Sequence, residues 1–373
     1  MKKIWKIIIV ILCLCIPLTA NATETQDELM KKYDFTEIEQ FLDKFFPEEK
    51  LDFADTVWSL ISGQIEPTFE LFKELIFDQI AYELRSSKQG IIHIILLVII
   101  GAIFSNFSSV FKNTQVAEIS FSMLYMLMIA ICLNNFRILV DSVTANVGQI
   151  MNFMQILSPL YALAVAIATG SGTSIAFYQL ILIVIYLCEV LIQNFLLPLT
   201  QIYLIVRVLG ELSPEIPLTK FAGFIETIVS WSLKVLIAGI VGINVIQGLL
   251  NPAIDSVKRS VVVKGGEAIP MIGDAISGST EVVLGSAILI KNGIGVTGML
   301  ICLIVCLAPI VKMVITALLY QLIAALIQPV SDKRIVNCVS GMADGTKLLL
   351  RIICTTSVLF MITIAVVAST TGG

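Results

Sequence analysis

Three acidic residues recur every seven positions between long apolar runs, at Glu267, Asp274 and Glu281. On a helix this spacing places the three carboxylates on one face, opposite an apolar face. Such a face can line a wet path or bind a charged partner. It can equally lie in water above an amphipathic helix that rests in the membrane interface. The pattern leaves both interpretations open.

Four more ionisable residues lie inside apolar runs, namely Glu189, Lys234, Lys312 and Arg351. Charged groups within membrane spans are costly, so each is a candidate for a polar path or a partner contact. Glu189 lies deepest in its run and is the strongest single candidate. For Lys234, snorkelling to the interface or a salt bridge between helices is the competing explanation.

One apolar run, residues 293–328, is too long for a single straight crossing and contains Pro309. Proline removes a helical hydrogen bond, and glycine weakens a helix. We therefore expect a broken helix or two joined half-helices, with hinges or kinks at Gly293, Gly295 and Pro309.

Residues for enzymatic chemistry are sparse. His93 is the only histidine, which argues against a histidine-based zinc site and against a serine–histidine or cysteine–histidine pair. Gly273-Asp274 lacks the earlier glycine of intramembrane aspartyl proteases, because position 271 is methionine. We expect no catalytic residue, no metal, no cofactor and no enzyme activity. No basic stripe is present to bind nucleic acid.

The composition is that of an integral membrane protein. Of the 373 residues, 57% are hydrophobic and 14% are charged, and the mean hydropathy is +0.94. We predict an all-α polytopic protein with about seven transmembrane helices and amphipathic or re-entrant helices. The predicted spans are residues 91–111, 119–140, 156–170, 174–198, 221–250, 293–328 and 347–368. Between the second and third spans, residues 143–154 have the pattern of an amphipathic, turn-rich helix.

The organisation before the spans is that of a secreted segment. Residues 1–22 have the basic start, apolar run and small-residue end of a signal peptide. Residues 23–90 form a predicted acidic, helical, extracytoplasmic region; between 23 and 88 lie 16 of the chain's 28 acidic residues and 7 basic ones. Apolar residues recur there at helical spacing in two stripes, which are Ile38, Phe41, Leu42, Phe45 and Phe46, and Phe69, Phe72, Leu75, Ile76 and Ile80. Residues 91–373 form the predicted multi-pass domain, which includes a glycine-rich amphipathic block at 258–298.

Lysine and arginine positions predict the orientation. With the N-terminal region outside, three basic groups fall on the cytoplasmic side, in accordance with the positive-inside bias. These groups are Lys112; Lys258, Arg259 and Lys264; and Lys333, Arg334 and Lys347. Arg207 and Lys220 are exceptions.

The block Lys264-Gly265-Gly266-Glu267-Ala268-Ile269-Pro270 begins a series of motifs that resembles the stage III sporulation protein AE family. The series continues through Gly273-Asp274, Gly285-Ser286, Ile290-Lys291-Asn292, Gly295, Ala308-Pro309-Ile310-Val311-Lys312 and Gln328-Pro329. The resemblance covers most of the chain, and its distinctive part is residues 258–340.

This resemblance implies a membrane protein that the mother cell of an endospore-forming bacterium places in the outer forespore membrane. It implies partners from the same sporulation operon and a forespore-made partner. Together they would form a channel or secretion-like complex that supports late forespore gene expression. The competing hypothesis is a free-standing permease that binds a small solute near its intramembrane charges.

Overall fold

A computed structural model describes residues 29–45, 51–63, 114–168, 171–210, 218–266, 273–329 and 331–370, with isolated positions between 73 and 103. Within these residues the regular structure is entirely helical. The helices are α1 (Thr36–Phe45), α2 (Phe53–Ile61), α3 (Thr114–Ala168), α4 (Ser171–Leu187), a π-helical segment (Cys188–Leu196), α5 (Leu197–Leu209), α6 (Thr219–Gly266), α7 (Gly273–Ile327) and α8 (Lys333–Thr370).

The two short N-terminal helices begin at side-chain caps. The Asp34 carboxylate accepts a hydrogen bond from the Thr36 amide at 3.0 Å, and Asp52 accepts one from the Asp55 amide at 2.9 Å. The predicted apolar spacing of α1 is confirmed, because Ile38, Phe41 and Leu42 are buried. The second apolar stripe predicted in this region, residues 69–80, lies outside the described residues apart from isolated positions.

Five helical stretches are long and apolar enough to cross a membrane. They are Ile119–Ala168, Tyr178–Leu209, Thr219–Ile243, Leu284–Ile327 and Lys333–Ala365. Of the seven predicted spans, the one at 91–111 lies outside the described residues. The spans predicted at 119–140 and 156–170 belong to one helix, α3, and the other four each correspond to one of the remaining stretches.

The merging of two predicted spans has a clear physical cause. Residues 143–154 carry polar side chains on one face, so a hydropathy profile shows them as a loop between two spans. Their other face is apolar and continuous, and Val143, Val147, Ile150 and Met154 are fully buried in the bundle. Burial of that stripe favours one uninterrupted helix of 55 residues, about 80 Å long at 1.5 Å per residue.

The predicted break in the 293–328 run is also absent, since α7 is a single helix of 55 residues with Pro309 inside it. Gly293 and Gly295 occupy positions of close approach in that helix. A Cβ atom on Gly293 would lie 2.9 Å from Ile61 Cγ1, and one on Gly295 would lie 2.8 Å from the Tyr161 hydroxyl. The two glycines therefore provide space for α2 and α3 within an unbroken helix.

The five long helical stretches alternate in direction along the chain, which gives the bundle two distinct ends. At one end, the Arg334 guanidinium lies 5.6 Å from the centre of the Phe121 ring, and Gly210 lies against Leu218. We call this the Arg334 end. At the other end, the ring of Phe41 of α1 packs against that of Phe153 of α3, with ring centres 5.4 Å apart and planes tilted by 43°. We call this the α1–α2 end.

The course of α6 differs from the path that the sequence analysis assumed. Helix α6 starts beside Gly210 and runs through Gly266, so the positions of Lys258, Arg259 and Lys264 lie toward the α1–α2 end. The sequence analysis placed them opposite the N-terminal region because it counted residues 119–170 as two crossings. The side of the membrane on which they lie stays a prediction. Arg207 and Lys220, the two exceptions there, lie at the Arg334 end with Lys333.

Contact between α3 and α8 provides a test of the helix register. Cys132 and Cys338 are buried, and their sulfur atoms are 3.7 Å apart. Oxidation of membranes with copper(II) phenanthroline is expected to join these thiols, because the separation needs only a small movement to reach bonding distance. Mass spectrometry of the digested protein detects the linked peptides. The Cys338→Ser variant should give no such product, and a linkage that persists in it would contradict the register.

Candidate functional site: a charged layer across the bundle

Charged residues from five helices lie at one level of the bundle. We call this set the charged layer. Its members are Arg137 and Asp141 of α3, Arg207 of α5, Glu226 of α6, Lys312 of α7, and Asp344, Lys347 and Arg351 of α8. Contacts between helices fix the level: Phe136 lies against Gly345, and Arg207 lies against Gly341.

Lys312 connects α7 to α3 within the charged layer. Its ammonium group donates a hydrogen bond to the Ser142 hydroxyl at 3.1 Å. The lysine is half-buried, one turn after Pro309. Proline leaves a carbonyl one turn earlier without its helical donor, so this part of α7 is unusually polar for a membrane helix. Lys312, a residue singled out from the sequence, therefore has a defined partner.

Arg351 connects α8 to α6. One guanidinium nitrogen lies 3.5 Å from a carboxylate oxygen of Glu226 and 3.1 Å from the Ser230 hydroxyl. The side chains of Arg351 and Glu226 are 52% and 44% exposed. Partial exposure weakens the pair but also lowers its desolvation cost, which is the usual compromise for charges near a membrane boundary.

Tyr203 occupies the centre of the charged layer's α5–α6–α8 side. It is buried and lies within electrostatic range of Asp344, Glu226, Arg207 and Arg351. Lys347 donates to Asp344 at 3.1 Å along the same face of α8. Sequence analysis had missed this grouping, because these residues are distant in the chain and only the packing of α5, α6 and α8 brings them together.

Glu189 and Lys234, the other two charges predicted inside spans, are exposed on the bundle surface. Neither makes an ion pair with another described residue. Glu189 lies in the first turn of the π-helical segment. That segment precedes Pro198, whose missing amide hydrogen and bulky ring disfavour regular α-helical bonding just before it. Glu189, the candidate that lies deepest in its apolar run, is thus part of a locally widened helix.

The predicted acidic face is only partly described. Glu267 lies outside the described residues. Asp274 and Glu281 belong to the first turns of α7, and their side chains lie outside the described part of the structure. Because α7 starts at the α1–α2 end, these two positions share that end with the acidic N-terminal helices.

The sequence analysis did not identify Lys291 of α7 as a buried charge. Lys291 is fully buried, but it precedes residue 293, at which the predicted apolar run begins. It lies one and two turns before Gly295 and Gly298, which pack on Tyr161 and Leu157 of α3. This spacing of four and seven residues was the available signal that Lys291 faces α3. Three buried hydroxyls occur on the same two helices, those of Ser158, Ser286 and Thr297.

The N-terminal helices present an acidic surface. Burial raises the pKa of the Glu39 carboxyl, and the neighbouring charges of Asp52 and Asp43 raise it further. A hydrogen bond from Thr36 lowers the pKa of the Asp34 carboxyl. Burial is the larger cause of the raised pKa of Glu39, and the contributions of the neighbouring carboxylates show that negative charge is concentrated on this face.

Comparisons with known proteins identify the family of the chain. The family model described as stage III sporulation protein AE matches residues 51–371. Stage III sporulation protein AE of Bacillus subtilis (strain 168) is 23% identical over 313 residues, which cover 84% of this chain and 78% of the relative. No solved structure gives a significant match. The chain, a helical membrane protein, belongs to the stage III sporulation protein AE family.

Proposed function

We propose that the protein is a non-enzymatic membrane component of a channel or secretion-like complex between the mother cell and the forespore, required for endospore formation and late forespore gene expression. The observation that carries the proposal is the docking of the acidic N-terminal helices on the bundle end opposite the charged layer. Val57 and Ile61 of α2 are buried against Gly293. The acidic N-terminal helices thereby lie at the end that also holds Lys258, Arg259 and Lys264 of α6, and the charged layer lies toward the opposite end.

This polarity supports an orientation. The charged layer holds five cations and three carboxylates, and Lys333 and Arg334 lie just beyond it. A positive end favours the cytoplasmic side, here that of the mother cell. In the outer forespore membrane, the α1–α2 end would then lie in the space between the two membranes. A forespore-made partner and the other proteins of the same operon would meet the chain there.

The use of charge in the bundle favours a structural component over an enzyme. Lys312, Arg351 and Lys347 each bond a neighbouring side chain. The Lys312 and Arg351 contacts join neighbouring helices and hold them in register, whereas the Lys347–Asp344 pair lies within α8; none of the three forms a nucleophile–base arrangement. A permease that binds a small solute near its intramembrane charges remains the alternative, and the burial of the charged Lys291 within α7 favours it.

Deletion of the gene tests the proposed role. Spore formation should stop after engulfment, and growth in rich medium should be normal, because the complex is needed only in sporulating cells. Affinity purification from such cells should recover other sporulation proteins with the chain. A growth defect, together with solute binding by the purified chain alone, would favour the permease.

Acidic residues at the α1–α2 end provide a second test, because Asp274 and Glu281 lie there with the N-terminal helices. If they contact a basic partner surface, the double variant Asp274→Leu/Glu281→Leu should lose spore formation and partner recovery at an unchanged amount of protein. An interfacial helix with a solvated polar face would lose little on this change. Normal spore counts in the double variant would refute the contact.

A further inference from the structure

The chain between α2 and α3 has to travel from one end of the bundle to the other. Helix α2 ends at Ile61, whose side chain packs on α7 at the α1–α2 end. Helix α3 begins at Thr114, and two turns later Phe121 lies under the guanidinium of Arg334 at the Arg334 end. Residues 64–113, which lie outside the described residues apart from isolated positions, therefore connect the two ends.

The length of this connection follows from two contacts between α3 and α7. Ser142 bonds Lys312, and Leu157 packs on Gly298, so equal lengths of the two helices lie side by side in opposite directions. At 1.5 Å per residue, the start of α3 lies about 70 Å along the bundle from the level at which α2 packs. The hydrocarbon core of a bilayer is ~30 Å thick, so residues 64–113 must cross it.

Only the second half of this connection suits the membrane interior. Residues 64–90 contain eight charged residues, whereas residues 91–111 contain no aspartate, glutamate, lysine or arginine. A run of this length is enough for one helical crossing. Two residues separate it from Thr114, where α3 begins. Because such a short connection joins antiparallel neighbours, the crossing at 91–111 must lie beside α3.

Helix α3 has an exposed apolar face at the matching level. Met123 is 68% exposed, and Ile119, Met126 and Leu127 are 59%, 57% and 55% exposed. Their spacing of three and four residues places them together on one side of the helix, which no described helix covers. This face begins within two turns of the short connection, so it is the surface of α3 that the crossing at 91–111 can reach.

The crossing itself has one large-residue face and one small-residue face. Its described positions Ile92, Ile99 and Ile103 are helical and are 61%, 51% and 50% exposed. Their spacing of seven and four residues places them on one side of a helix. The opposite side carries small residues, which are Gly101, Ser105 and Ser108. Small residues let the backbones of membrane helices approach closely, so this side suits contact with a neighbouring helix.

We propose that residues 91–111 form a further transmembrane helix, antiparallel to α3, whose small-residue side packs on the exposed apolar face of α3. Ser105 and Ile119 lie five or six residues from their respective ends of the connection, so they face each other. Gly101 lies near Met123 and Met126 one turn further on, and the isoleucine side of the new helix contacts lipid. The inference rests on the path of the chain and is independent of the proposed channel role.

Paired cysteines in the full chain test the proposed contact. The variant Ser105→Cys/Ile119→Cys, in native membranes, is oxidised with copper(II) phenanthroline; copper(II) accepts two electrons and water accepts two protons as the S–S bond forms. The matched control is Ile103→Cys/Ile119→Cys, because position 103 lies on the opposite side of the same helix. Mass spectrometry should find the 105–119 link within one chain about tenfold more often than the 103–119 link, since a disulfide needs close Cβ atoms.

A second measurement tests the crossing without any disulfide. In the Lys112→Cys variant, a membrane-impermeant maleimide should label position 112 from the side that labels a cysteine at position 333, and not from the side that labels one at position 55. Labelling of positions 112 and 55 from one side would overturn the proposal. Equal yields of the 105–119 and 103–119 links would overturn it too. A 105–119 link found only between two copies would assign the α3 face to a second chain, and no link at all would assign it to lipid.

Discussion

Replacing Gly293 by leucine is expected to release α2 from α7. A Cβ atom at this position would lie 2.9 Å from Ile61 Cγ1 and 3.3 Å from Val57 Cγ1, and leucine adds three further carbons. Overpacking of this kind costs about 1–3 kcal/mol. At about 2 kcal/mol, the population of the undocked state rises about 30-fold.

The exposure of Val57 reports this release, because the residue is fully buried when α2 is docked. A Val57→Cys variant should react with maleimide about 30 times faster when Gly293→Leu is also present. Gly285→Leu is the matched control on the same helix, since nothing lies within 4 Å of its Cβ position. Equal labelling rates in the two backgrounds would contradict the docked arrangement. Loss of spore formation in Gly293→Leu alone would link docking to function.

Reversing the charge of Arg351 is expected to impair the protein, and reversing Glu226 as well should restore it. Arg351→Glu would place two carboxylates at a contact that now joins a cation and an anion at 3.5 Å. Loss of a half-exposed pair costs about 0.2–1 kcal/mol, and the repulsion adds a similar amount. The melting temperature in detergent and spore counts should both fall.

The double variant Arg351→Glu/Glu226→Arg regains an opposite-charge pair across α6 and α8. Its melting temperature should return most of the way to that of the parent. Lys220→Glu is the control, because Lys220 is exposed on the same helix as Glu226 and has no ion pair with a described residue. If the double variant were as impaired as the single one, the α6–α8 pairing in the charged layer would be wrong.

Local patterns in the sequence predicted the helical class, the burial of Ile38, Phe41 and Leu42, and the apolar face of residues 143–154. Hydropathy could not show that this face continues through one helix, since the opposite side of the helix carries the exposed Gln149 and Asn152 and the half-buried Asn146. Proline and glycine suggested a break in α7. In the structure α7 is unbroken, and Gly293 and Gly295 instead leave space for Ile61 and Tyr161.

Less of the candidate site than of the fold could be predicted from the sequence. Arg351 and Lys312 were identified because charges within apolar runs are costly, whereas their partners Glu226 and Ser142 could not be. Glu226 is 125 residues from Arg351, and Ser142 is 170 residues from Lys312. Pairing at such separations depends on helix order and register, which no local pattern in a single sequence specifies.

Cysteine accessibility at three positions most directly tests the arrangement of the five spans found among the described residues. Asp55 lies on α2, Lys258 on the distal part of α6, and Lys333 at the start of α8. With cysteine introduced singly at each, a membrane-impermeant maleimide should label positions 55 and 258 from the same side of the membrane and position 333 only from the other. Labelling of positions 258 and 333 from one common side would contradict the arrangement and restore the topology that the hydropathy pattern suggested.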